Sequence, residues 1–199
     1  MNTRTLAVQQ PIEPSKTKDE FTSYLGLLIG LASITMLFVT LLISYSILRI
    51  QAGYWFVPGG GSSSMSLAIV NTMILLASSG TWVIAARKTR HGRIGAFRRW
   101  TWATVVLGVL FLISQLVLWQ FLTTKGFTVQ SSIVGSVFYM LTGMHGLHIL
   151  AGLAALVWIL VKVTQDNFVI NRDRVRLVGV FWHFLDVLWI CLFTAIFIL

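Results

Sequence analysis

Residues 135–161 read GSVFYMLTGMHGLHILAGLAALVWILV, a run of 27 residues whose only titratable groups besides Tyr139 are His145 and His148. About 20 apolar residues in a helix rise about 30 Å, which is the thickness of the hydrocarbon core of a bilayer. An uninterrupted run of this length is typical of a transmembrane helix rather than of a helix in a soluble core. The stretch therefore predicts a membrane protein.

The rest of the chain follows the same pattern, because 56% of its 199 residues are hydrophobic and only 11% are charged. Five segments are long and apolar enough to span a bilayer: 21–49, 65–88, 100–124, 131–163 and 175–199. Backbone groups in lipid must be hydrogen-bonded within the segment, which favours helices. We predict an all-α membrane protein: a bundle of five transmembrane helices forming one domain, 21–199, after a flexible cytoplasmic tail, 1–20.

The basic residues lie on alternate connections between these segments. Thirteen of the fifteen are in the tail and in the second and fourth connections, whereas the other side has only Arg49 and Lys125. The positive-inside rule then places the N-terminus in the cytoplasm and the C-terminus outside. The net charge of +9 is thus explained by topology, and no nucleic-acid partner is expected. Guanidinium groups bind phosphate in a bidentate manner, so Arg93, Arg98 and Arg99 are candidate ligands for phospholipid headgroups.

Small residues in the first segment predict a close helix contact. Gly26 and Gly30 form a GxxxG pattern, and Ser33 follows about one turn later. Helices in lipid approach each other where side chains are small, so this stripe is a candidate interface. The single cysteine, Cys191, excludes an intrachain disulfide.

Two pairs of polar residues are unusual in such apolar surroundings. His145 and His148 are three residues apart in the fourth segment, and His183 and Asp186 are three apart in the fifth. Each pair therefore shares a helix face, and Asp186 is costly in a membrane unless it finds a donor. The residue types allow an interhelical hydrogen-bond network, with His148 as the expected partner of Asp186, or a metal or haem site, or a proton relay.

Two stretches with these residues, TGMHGLHILAG at 142–152 and FWHFLDVLWICLFT at 181–194, resemble subunit III of the haem-copper respiratory oxidases, which include cytochrome c and quinol oxidases. Three further stretches are similar to the same family in the same order: NTMILLASSGT at 71–81, LGVLFLISQ at 107–115 and GSVFYMLTG at 135–143. The resemblance extends from residue 21 onward. Five segments match the shortened five-helix bacterial form rather than the seven-helix mitochondrial form.

The resemblance implies a subunit of the bacterial cytoplasmic (inner) membrane that carries no catalytic centre, metal or cofactor of its own. Haems and copper are then expected in partner subunits I and II of a proton-pumping terminal oxidase that reduces oxygen to water. Subunit I is the implied main contact, with subunit II, other respiratory complexes and bound phospholipids as further partners. In this interpretation Gly26, Gly30 and Ser33 face subunit I, and the four polar residues form a structural network.

Other functions remain open at this point. One is a subunit III-like protein associated with nitric oxide reductase, and another is a free-standing membrane haem or metal protein. The chain also departs from the family where it usually has two membrane glutamates, since Ile34 follows Ser33 and Leu118 stands three residues after Gln115. A proton-linked role of the first glutamate therefore does not carry over to this chain, and a mainly structural and lipid-related role is expected. The stretch 181–197 is similar to the quinol-oxidase form, but the electron donor stays open.

Overall fold

The computed structural model describes residues 15–51, 62–90, 92–164 and 172–198. These residues form five long helices and a terminal π-helical turn: α1 (Ser15–Gln51), α2 (Ser62–Arg90), α3 (Ile94–Thr124), α4 (Ile133–Thr164), α5 (Arg172–Phe193) and the turn Thr194–Ile198. All five helices are long and apolar enough to cross a membrane. The predicted five-helix membrane bundle is therefore confirmed.

Helices α1, α2, α3 and α5 begin earlier than the apolar pattern predicts, and α1 and α3 differ most from it. Helix α1 begins at Ser15, so residues 15–20 of the predicted tail are helical, while residues 1–14 lie outside the described part. Helix α3 begins at Ile94 rather than at 100, and Arg98 and Arg99 are part of it. The pattern counts only apolar residues, but a membrane helix continues into the headgroup region, where long basic side chains keep their charges in water.

Helices α2, α3, α4 and α5 form a ring in which each packs against the next and α5 returns to α2. Helix α1 packs outside this ring, against α4 and α5. In its most apolar 18-residue window only 6% of α1 is buried, compared with 44% in α5. Most of the α1 surface is therefore left uncovered by the described part of the chain.

Glycines allow two tryptophans to fill the centre of the ring. A Cβ on Gly179 of α5 would lie 2.6 Å from Nε1 of Trp82 in α2. A Cβ on Gly108 of α3 or on Gly152 of α4 would lie 3.0 Å from the Trp182 ring. Both tryptophans are fully buried. These contacts are too short for any larger residue, so the glycines set the distances between the helices.

Arg49 connects the ends of α1 and α5. Its Nη1 donates hydrogen bonds to the carbonyl oxygens of Ala195 and Ile196, each at 3.0 Å, and the residue is buried. The last carbonyls of a helix have no partner within the helix, so a guanidinium group is well suited to satisfy them. The two helices consequently end on the same side of the bundle, as expected of the first and fifth helices when consecutive spans alternate in direction.

Candidate functional site

His183 lies on the side of α5 that faces α2, and Asp186 lies beside it on the same helix. Nδ1 of His183 is 2.7 Å from the Ser79 hydroxyl of α2 and 3.5 Å from Oδ2 of Asp186. The His183 side chain is 41% exposed and that of Asp186 only 7%. The histidine therefore links two helices through its inner nitrogen while part of its ring reaches the surface of the bundle.

A second polar contact joins the same two helices. The indole Nε1 of Trp189 donates to Oγ1 of Thr72 at 3.1 Å. Thr72 and Ser79 are seven residues apart on α2, and their partners Trp189 and His183 are six apart on α5. The two contacts therefore form successive rungs between antiparallel helices. We call these four residues and Asp186 the α2–α5 seam.

The expected hydrogen bond between His148 and Asp186 is not formed. His148 instead places Nδ1 2.7 Å from the carbonyl oxygen of Met144, one turn earlier in its own helix. Neither carboxylate oxygen of Asp186 accepts a hydrogen bond from any residue in the described ranges. The spacing of three residues shows that His183 and Asp186 share a face, but it cannot show that His183 contacts α2 or that Asp186 lacks a donor from α4.

His145 is a packing residue at the centre of the bundle. It is 1% exposed, and its ring stacks on Trp189 with 5.1 Å between centroids. Phe38 of α1 and Phe111 of α3 contact it edge-on at 6.4 and 6.1 Å. Both of its ring nitrogens lack a hydrogen-bond partner among the described residues. Its position among aromatic rings joins α1, α3, α4 and α5 through contact rather than through hydrogen bonds.

The four polar residues do not form a ligand set for a metal. Within residues 15–51, 62–90, 92–164 and 172–198, no three His, Cys, Asp or Glu side chains come together closely enough to hold an ion. A catalytic or structural metal site generally needs three or four such ligands. The geometry therefore gives no support to the metal interpretation of these side chains.

Helices α2 and α3 are also joined by polar contacts that the sequence analysis missed. The Asn71 side-chain amide donates to Oε1 of Gln115 at 2.6 Å in a fully buried position. The hydroxyls of Thr81 and Thr104 are 2.9 Å apart. The sequence does indicate this contact, because each of the two apolar runs contains an amide side chain. Such groups form hydrogen bonds with neighbouring helices in a membrane.

The three candidate lipid ligands are all exposed, but they do not share one face. Arg98 and Arg99 lie on α3 four and three residues before Trp102, which is 53% exposed. Helical geometry therefore places Trp102 between the two guanidinium groups, one turn deeper. Arg93 precedes the first residue of the helix. Arg98, Arg99 and Trp102 therefore form one patch at the start of α3, and Arg93 lies just before the helix.

The small residues of α1 lie on an uncovered surface. Gly26, Gly30 and Ser33 are exposed, and a Cβ on either glycine would meet no described atom within 4 Å. The Ser33 hydroxyl donates to the carbonyl oxygen of Ile29 in its own helix, at 2.9 Å. Toward the end of α1 the stripe leads to Leu37, four residues after Ser33.

Leu37 is part of an open groove between α1 and α4. The groove has a volume of about 340 Å³. Apart from the Thr40 hydroxyl, which bonds to its own helix, the residues that line it are apolar: Met36, Leu37, Thr40, Leu41, Met140 and Met144. The stripe and the groove together make a continuous apolar surface with room for side chains or an acyl chain.

Comparison with known proteins identifies relatives across nearly the whole membrane part. The model of the family described as cytochrome c oxidase subunit III matches residues 19–199. A "Probable cytochrome c oxidase subunit 3" of Mycobacterium leprae is 36% identical over 174 residues, covering 86% of this chain and 85% of the relative. "Cytochrome c oxidase subunit 3" of Corynebacterium diphtheriae is 34% identical, with the same coverage of both chains. That of Thermostichus vulcanus is 30% identical and covers 88% of this chain and 86% of the relative.

Proposed function

The chain belongs to the cytochrome c oxidase subunit III family, and from this membership we propose that it is the non-catalytic subunit III of a proton-pumping haem-copper terminal oxidase. The observation that carries the proposal is the family match over residues 19–199, on a chain that folds as five membrane-spanning helices. In this role the chain stabilises the subunit that reduces oxygen and holds lipids beside it. The names of the relatives favour cytochrome c over quinol as the electron donor of the complex.

The haems and copper of the complex are assigned to subunits I and II. The contacts of polar side chains in the described region support this division, because these side chains pair with one another. Ser79 and His183, Thr72 and Trp189, and Asn71 and Gln115 pair with one another across helix contacts. Side chains that hold helices together in this way stabilise the bundle, and they are not positioned to ligate a haem or a copper ion.

Subunit I is proposed to pack against the stripe of Gly26, Gly30 and Ser33. The uncovered surface of α1 supports this, because two exposed glycines on one helix side let another backbone approach closely. The adjoining groove between α1 and α4 would receive larger apolar side chains from the same partner. Subunit II and other respiratory complexes are proposed as more distant partners.

Phospholipid binding is proposed at the patch of Arg98, Arg99 and Trp102, with Arg93 as an additional ligand. Two guanidinium groups at the start of a membrane helix present several N–H donors to a phosphate. An exposed indole one turn deeper lies at the level where amphipathic rings are favoured. The patch thus offers charge to a headgroup and an apolar surface to its acyl chains.

The basic loops favour a cytoplasmic N-terminus and an external C-terminus, and the bacterial relatives favour a cytoplasmic (inner) membrane location. The experiment that tests the proposal is purification by an affinity tag on this chain in a mild detergent. Mass identification of the co-purified chains should find oxidase subunits I and II in equimolar amounts. Recovery of the chain alone, or with nitric oxide reductase subunits, would refute the proposed function.

A further inference from the structure

The outer nitrogen of His183, Nε2, opens onto the surface of the bundle. Nδ1 faces Ser79 and Asp186, and no hydrogen bond joins Nε2 to any residue that the structure describes. The side chain is 41% exposed, so this nitrogen opens onto the surface of the bundle. At 1.5 Å per residue, His183 lies about 15 Å from Asp173 and about 21 Å from Phe197 along α5. The nitrogen therefore lies near the middle of the hydrocarbon layer.

The surface around this nitrogen is apolar. Val180 and Val187 lie three and four residues away on the same side of α5 and are 40% and 60% exposed. Ile190, two turns further on, is 42% exposed. Lipid tails would surround the imidazole here and could not form a hydrogen bond with it. Leaving such a group unsatisfied in hydrocarbon is unfavourable, so a protein group is the better match for this face.

Asp186 indicates which hydrogen-bonding role the outer nitrogen has. The carboxylate accepts no hydrogen bond within the described residues, and its Oδ2 lies 3.5 Å from Nδ1 of His183. A proton on Nδ1 would point to the Ser79 hydroxyl oxygen at 2.7 Å and present positive charge to the nearby carboxylate, whereas a lone pair on Nδ1 would be repelled by it. The hydrogen bond at one ring nitrogen decides the form of the other, so Nε2 then carries a lone pair and is an acceptor.

We propose that the face of Val180, His183, Val187 and Ile190 docks a transmembrane helix of a partner oxidase subunit, which donates a hydrogen bond to Nε2 of His183. This inference rests on the proposed function, but it concerns a face of α5 that is separate from the stripe on α1. Ser79 and Asp186 lie next to the inner nitrogen of the imidazole, so Nε2 is already oriented before the partner subunit binds. A hydroxyl, indole or amide N–H in the middle of an otherwise apolar helix has the matching chemistry.

Photo-crosslinking in native membranes tests the contact directly. A photoreactive amino acid replaces Val187 in one variant and Val109 in the control, since Val109 is also exposed but lies on α3. We expect the variant at Val187 to form a covalent adduct with an oxidase subunit well above the control. Adducts with lipid alone at Val187, in a complex that remains assembled, would overturn the inference.

Substitutions separate the external contact from the internal one. His183→Leu should lower retention of the chain in the purified oxidase about 3- to 20-fold, which corresponds to one interhelical hydrogen bond in a membrane. His183→Gln, which still offers an acceptor, should stay within about twofold of the native chain. Ser79→Ala removes only the inner contact that orients the ring, so it should lower retention clearly less than His183→Leu does.

Equal losses for His183→Leu and Ser79→Ala would show that His183 acts only within the chain, and the inference would be wrong. If the unaltered chain does not co-purify with oxidase subunits, the proposed function fails, and the inference fails with it. A missing cross-link in an intact complex refutes the inference alone. The two failures are therefore distinguishable.

Discussion

Gly179→Ala should destabilise the bundle, because the helix contact at this position has no room for a methyl group. The added Cβ would lie 2.6 Å from Nε1 of Trp82, well inside the 3.4–4 Å of ordinary contact. Trp82 is 1% exposed and packs against Phe97, so its ring cannot withdraw freely. Overpacking of this kind costs about 1–3 kcal/mol, and such a short approach places it in the upper half of that range.

Alanine also has a higher helix propensity than glycine, and this difference offsets at most about 1 kcal/mol of the loss in stability. The expected net loss is therefore about 1–2 kcal/mol in the free energy of unfolding, or about 5- to 30-fold in the folding equilibrium. The measurement is unfolding of the purified protein by dodecyl sulfate in mixed micelles, followed by tryptophan fluorescence and circular dichroism.

Gly80→Ala is the matched control for this prediction. Gly80 lies on α2 two residues before Trp82, and its added Cβ would meet no described atom within 4 Å. This variant should be as stable as the native protein or slightly more stable, because only the helix propensity changes. If Gly179→Ala were as stable as Gly80→Ala, the close packing of α5 on Trp82 would be wrong.

Three further predictions concern the proposed partners and the seam. Gly26→Leu combined with Gly30→Leu should release the chain from the oxidase in mild detergent, measured by the ratio of subunits after purification; continued binding would show that the stripe is not the interface. Arg98→Gln combined with Arg99→Gln should remove about one phospholipid per complex, measured as phosphorus per haem, because both phosphate ligands of the patch are lost. An unchanged phosphorus content would mean that these arginines only set the orientation of the chain. Asp186→Asn keeps the shape of the side chain and should leave both assembly and oxygen consumption nearly unchanged; loss of oxygen consumption in an assembled complex would instead indicate a proton path.

The number and positions of the spans could be predicted because they depend on length and hydropathy alone. Each of the five predicted segments overlaps one observed helix. The ends were less predictable, since charged and aromatic residues such as Arg98 and Trp100 continue α3 beyond the apolar run. The role of Arg49 was also not predictable, because its carbonyl partners at Ala195 and Ile196 lie almost 150 residues away in the sequence.

The polar cluster could be predicted only in part. Residue spacing placed His183 and Asp186 on one face of α5, and the structure agrees. The predicted hydrogen bond from His148 of α4 to Asp186 is not formed, because it depends on how α5 is rotated relative to its neighbours, which a single sequence does not specify. Ser79 and Thr72 gave little signal, since hydroxyls in membrane helices usually bond to their own backbone. Their spacing of seven residues was the one clue to a shared helix contact.

The most direct test of the central claim is to locate the redox centres within the purified complex. An absorption spectrum and metal analysis are recorded for the intact complex, and again for both fractions after this chain is removed with a harsher detergent. We predict that all haem and copper remain with the other subunits, which still reduce oxygen at the start of turnover, and that the released chain contains neither. Stoichiometric haem or metal in the fraction with this chain would contradict its assignment as a non-catalytic subunit.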